Sequence, residues 1–158
     1  MKFLIAAFLL LPSFSGSSAS CDKVNSHTAI QHNRNKNMSP QNGTTMKITV
    51  GAAVFKATLY DNATATAFKK LLPLTITMDD LNGNEKHAEI SGKLPLNIVN
   101  PGTIQNGDLM IWSSKTLVLF YETFSTPYSY TKLGRIDDVT GLAAALGSGN
   151  VMVSFEVE

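Results

Sequence analysis

From Met46 onward the chain is patterned in short runs in which apolar residues recur at every second position and Gly, Pro or Asn ends each run. Met46, Ile48 and Val50 alternate with polar neighbours, Gly51-Ala52 supplies a turn, and Phe55, Ala57 and Leu59 alternate again. That reads as a hairpin. Leu74, Ile76 and Met78 repeat the period, Asn82-Gly83 is a turn signal, and a polar strand follows near Glu85–Ile90. Leu109–Trp112 and Leu117–Tyr121 are nearly continuous apolar runs separated by Ser113-Ser114-Lys115, as expected of buried central strands, and Val151–Val157 alternates cleanly.

Two segments break the period. Asp61-Asn62 offers a helix cap, Ala65, Phe68, Leu71 and Leu72 fall on one helical face, and Pro73 ends it. A second short helix is predicted around Asp138–Leu146, stopped by Gly147. About eight strands and two helices in one domain predict an all-β chain closed into a barrel or stacked as a sandwich. Periodicity alone does not choose between them.

The first twenty residues read as a targeting segment: Met1-Lys2 is a short basic start, Phe3–Leu11 is an apolar run of nine, and Pro12–Ser20 is rich in Ser. Nine residues fall far short of the roughly 20 needed for a membrane-spanning helix, so a secretory signal over 1–20 is expected. Cys21, the only cysteine, follows Ser18-Ala19-Ser20. It resembles the lipid-attachment cysteine of bacterial lipoproteins, although Ser18 stands where that motif usually has Leu. Ordinary cleavage after Ala19, with Ser17 and Ala19 as the small pair, is the alternative. Residues 21–44 then form an Asn-rich tether with too little apolar surface to offset the entropy of ordering. His27 and His32 lie in it without ligand spacing. The anchor is the only membrane contact expected.

Residues 45–158 carry nine Lys and Arg against eleven Asp and Glu, a net charge of −2. A nucleic-acid partner would want a clustered basic face, and none is present. P-loop, HExxH, GxSxG and GxGxxG motifs are absent, and His87 is the one histidine of the domain, so a Ser–His or Cys–His nucleophile has almost no raw material. His87, Glu85 and Glu89 share one strand face by period two; a solvated face is expected there rather than a metal site. Asp80–Glu85 hints at a calcium loop but has Glu85 where the sixth-position Gly belongs, so it reads as a turn. No metal and no cofactor are expected.

Leu94–Gly107 is a long loop, and such loops in compact domains are often functional. Just beyond it lies an aromatic cluster: Trp112, Phe120, Tyr121, Phe124, Tyr128 and Tyr130. Trp112, Phe120 and Tyr121 sit on apolar strands, where core packing accounts for at least two of them. Phe124 and Tyr128 flank the loop Ser125-Thr126-Pro127, where large aromatics have less structural reason to be.

The segments Ala57–Asn62, Leu72-Pro73-Leu74, Asp80–Gly83, Gly107–Trp112, Leu117–Tyr121 and Tyr128–Ile136 together resemble the small bacterial cyclophilin-like-fold family. The resemblance covers nearly all of residues 45–158. It implies a closed eight-stranded β-barrel with two short helices. True cyclophilins isomerise prolyl bonds, using an arginine ahead of a Phe-x-x-Gln-Gly-Gly motif. The nearest counterpart here, Thr103–Asp108, lacks the Phe and the paired Gly, and the domain's one arginine, Arg135, lies later in the chain. No catalytic residue transfers by motif.

The expected function is therefore a non-catalytic binding module for a small molecule or short peptide. Its candidate site is an aromatic-lined pocket at a barrel end, with Trp112, Phe120, Phe124, Tyr128, Tyr130 and Arg135 as ligand-binding residues. A divergent prolyl isomerase, which would need Arg135 in the same pocket, is one alternative. An accessory domain for a flavodoxin-like redox partner is another, suggested only by the family's associations.

Overall fold

In a computed structural model of the chain, residues 43–158 are described. The leader expected over 1–20, the anchor expected at Cys21, and His27 and His32 lie outside the described residues. The alternating runs form strands as read. β1 (Thr45–Val50) and β2 (Ala53–Leu59) make the first hairpin, Val50 opposite Ala53. β1 also pairs with β11 (Val151–Val157), joining the two ends of the domain.

From β11 the sheet continues through β3 (Leu74–Leu81), β4 (Glu85–Glu89), β8 (Thr116–Phe120), β7 (Asp108–Trp112) and β10 (Tyr130–Ile136). β10 returns to β2, so eight antiparallel strands close into a ring. Closure settles the question that periodicity left open: the domain is a barrel. It also leaves no long unpaired edge among these eight strands.

Three further strands were not expected: β5 (Ile98–Val99), added to β10, and β6 (Thr103–Ile104) with β9 (Phe124–Ser125), which pair with each other. Each is two residues long, too short to carry a period. β5 and β6 divide the long loop, tying it to β10 and to β9.

Helix α1 (Ala63–Lys69) begins where expected, with the Asn62 side chain accepting from Ala65 N at 2.8 Å and donating to Lys132 O at 3.0 Å. One side chain therefore both caps the helix and ties it to β10. Phe68 meets Phe155 edge-on at 6.2 Å inside the barrel. Helix α2 (Leu142–Leu146) is shorter than expected. Gly141 takes a left-handed conformation at φ 80°, and Asp138 accepts from Thr140 N in a turn instead of entering the helix.

Strand alternation decides which side chains fill the barrel. Met46, Ile48, Leu59, Leu117, Leu119 and Phe155 point inward and are fully buried. Lys86 also points inward and is 0 % exposed. Its ammonium donates to Asp80 Oδ2 at 2.6 Å, Gly147 O at 2.9 Å and Gly149 O at 2.6 Å, and lies 5.5 Å from the centre of the Tyr121 ring. Tyr121 donates its hydroxyl to the same Asp80 oxygen at 2.6 Å. This network fastens the segment after α2 to β3 and β4. Asp80–Glu85 is thus no ion loop but the end of β3, a turn at Asn82–Asn84 and the start of β4, with Asn82 and Gly83 both at positive φ.

Candidate functional site

The second set of side chains on β4, β7, β8 and β10 faces away from the core, and register sorts it into rows. Glu85 lies opposite Phe120, His87 opposite Val118, and Glu89 opposite Thr116. Across the next seam Val118 meets Met110 and Thr116 meets Trp112. Four residues along β4, about 13 Å at strand spacing, therefore separate the Glu85 row from the Glu89 row.

Much of this outer wall is apolar, which an exposed barrel face would not sustain. Met110, Val118, Phe120 and Tyr130 form a second hydrophobic cluster, separate from the barrel interior, together with Ile104 and Phe124. The β6–β9 pair is its cover. Thr126 N donates to Gly102 O at 2.9 Å, Asn100 Nδ2 to Pro127 O at 3.0 Å, and Asn106 N to Thr123 Oγ1 at 3.0 Å. The long loop thus acts through the segment it holds in place.

Between this cover and the exposed part of the wall runs a groove of about 640 Å³. One side is aromatic. Phe124 stands 5.8 Å from Phe120, Phe120 5.5 Å from Tyr130, Tyr130 5.2 Å from Trp112, and Trp112 5.7 Å from Tyr128, measured between ring centres. Phe120 is fully buried beneath the others, whereas Trp112 and Tyr128 are 41 % and 59 % exposed. Tilted and edge-on contacts of this kind hold rings in place while leaving faces free. The other side is polar: Glu85, His87 and Glu89 from β4, with Asn82 and Asn84 from the turn before it.

Charge along the polar side is uneven. Glu89 is paired with Lys115 at 2.8 Å and stays largely solvated. Glu85 is buried, and that burial pushes its carboxyl above the ordinary glutamate range. Burial, then the nearby Glu85 charge, raises the Tyr130 hydroxyl. Among the described residues no group of three or more His, Cys, Asp or Glu is arranged to hold a metal ion.

Of the six expected site residues, the structure brings five into one aromatic chain. Trp112, Phe124, Tyr128 and Tyr130 line the groove, and Phe120 supports it from below. Two expectations need correction. The groove lies on the outer wall and not at a barrel end, because β7 and β8 turn Trp112, Thr116 and Val118 outward. Arg135 does not line it. It is exposed, near Asp108 and Tyr60, five residues from Tyr130 along β10, about 16 Å at strand spacing.

The polar side is what sequence reading missed. Period two placed Glu85, His87 and Glu89 on one face, but only the pairing of β4 with β8 sets that face beside the aromatics.

A family model described as the cyclophilin-like family matches residues 48–156. The solution structure of a hypothetical protein, AF2241, from Archaeoglobus fulgidus is similar at a TM-score of 0.50 and 19 % identity, covering 73 % of this chain and 95 % of that one. That likeness concerns the fold alone. No curated protein matches the chain.

Proposed function

The chain belongs to the cyclophilin-like family, and from that premise we propose that its barrel is a non-catalytic binding module which takes a small molecule or short peptide in the outer-wall groove. One observation carries this reading: five aromatic rings in unbroken contact along a groove of about 640 Å³, with its two rim rings exposed. A volume of that size suits a small ligand, and exposed aromatics beside fixed polar groups are the usual lining of such sites. The isomerase alternative required Arg135 in the groove, and Arg135 stands outside it. The apolar run Phe3–Leu11 and the placement of Cys21 support display of the domain outside the cytoplasmic membrane on a lipid-anchored tether.

Trp112 is the chain's only tryptophan, so its emission reports this groove alone. Titration with capped Xaa-Pro peptides and with 2-phenylethanol and 2-phenylethylammonium should give a saturable emission change with at least one probe. Tyr128→Ala, which removes the rim ring packed on Trp112, should weaken that binding about tenfold, the weight of one good aromatic contact. A chain whose emission responds to none of these probes would contradict the reading.

A further inference from the structure

We propose that the groove selects ligands carrying an organic cation, a primary ammonium or a guanidinium, which pairs with Glu85 while the apolar body of the ligand lies against Val118, Tyr130 and Trp112. This deepens the binding reading above and rests on it. The starting observation is that Glu85 is 9 % exposed, lines the groove, and has neither an ion pair nor a hydrogen bond among the described residues. A buried carboxylate is ordinarily paired or hydrogen-bonded, because desolvating it alone is unfavourable. A groove-lining carboxylate without a donor asks for a ligand that donates.

The rest of the lining fixes the sign and shape of that ligand. Among the described residues no lysine or arginine lines the groove. Glu89 already has Lys115, so Glu85 is the carboxylate left for a ligand. Metal binding is a poor alternative, because no three-ligand group is arranged here among the described residues. The exposed rings of Trp112 and Tyr128 also favour a cation through their ring quadrupoles. An ammonium on a short apolar stem therefore meets carboxylate at one end and aromatic faces along its length.

The test uses the full chain and two matched pairs of probes. Free amines are represented by 2-phenylethylammonium, with 2-phenylethanol as its neutral match. A peptide source is represented by N-acetyl-Phe-Lys-amide, with the norleucine peptide as its neutral match. At least one cation should bind about tenfold or more tightly than its match, and Glu85→Gln should erase that preference, as expected for one charge-assisted hydrogen bond. Whichever pair shows the larger preference identifies the source.

Neutral and charged probes binding alike would overturn the cation proposal and leave the binding module standing. Binding of none would remove both. A melting curve gives an independent readout. The Glu85 carboxyl is raised in the folded state, so its contribution is complete below the unfolded value and is lost as pH rises through the folded one. At neutral pH Glu85→Gln should therefore melt no lower than the parent. A lower melting temperature would make Glu85 a structural group and overturn the proposal.

Discussion

Replacing Lys86 with Met is expected to destabilise the chain by about 3 kcal/mol and to lower its melting temperature by about 12 °C. Methionine keeps the buried stem of a side chain that is 0 % exposed, so the change isolates the ammonium. That ammonium answers three acceptors: Asp80 and the carbonyls of Gly147 and Gly149. Without it the two carbonyls lose their donor, and Asp80 keeps only the Tyr121 hydroxyl and Gly83 N. The position of the ammonium is closed to solvent, so three charge-assisted hydrogen bonds are lost together without a replacement donor.

The same network has a pH signature. Lys86, and after it Tyr121, hold the Asp80 carboxyl below the ordinary aspartate range. Its stabilisation is complete above the unfolded value and is lost as pH falls through the depressed folded one. Lys86→Met should therefore flatten the acid limb of the melting temperature against pH as well as lower the plateau. A variant that melts like the parent, with the same acid limb, would show that the ammonium holds nothing together. Tyr121 is moved the opposite way, its hydroxyl pushed up to about 12 by burial and by Asp80, so it remains a donor across the whole range.

The second large effect is expected at the seam that closes the barrel. Gly134 sits on β10 opposite Leu59, where the register of β10 against β7 also shifts. A Cβ there would lie 2.7 Å from Thr58 O and 3.1 Å from Leu59 Cα, both backbone atoms of β2. Backbone hydrogen-bonded into a ladder cannot swing aside as a side-chain tip can. Gly134→Ala should therefore force β2 and β10 apart and destabilise by about 3 kcal/mol. Hydrogen exchange is the sharper readout. Amides of β2 and β10 should lose protection before those of the opposite pair β3 and β4. Uniform protection with an unchanged melting temperature would mean that the seam has slack.

The distance over which each feature is determined explains what was legible in the sequence. The first hairpin, the Asn62 cap, the Asn82-Gly83 turn and the last strand are specified by neighbouring residues, and all four form as read. Gly141 was the local signal overlooked, and it shortened α2. The aromatic half of the groove was legible because six aromatics fall within one short stretch of chain. Its polar half was not, because it depends on β4 pairing with β8, some thirty residues away, and periodicity carries no information about which strands meet.

Lys86 shows the same limit from inside. A solvated face was expected for Glu85, His87 and Glu89, but Glu85 is buried, and the alternation that puts these three on the outer face of the barrel must place Lys86 within. Arg135 was grouped with the aromatics because it follows them closely in sequence, but a strand carries a side chain away by more than 3 Å per residue.

The outer-wall groove as the place where ligand binds is tested most directly by mapping chemical shifts of the isotope-labelled full chain during titration with 2-phenylethylammonium and capped Xaa-Pro peptides. The expected result is a set of perturbations gathered on Val118, Trp112, Phe124, Tyr128 and Tyr130, with the far end of β10 unchanged. Perturbations centred instead on Arg135, Tyr60 and Asp108, or a spectrum that no probe moves, would contradict it.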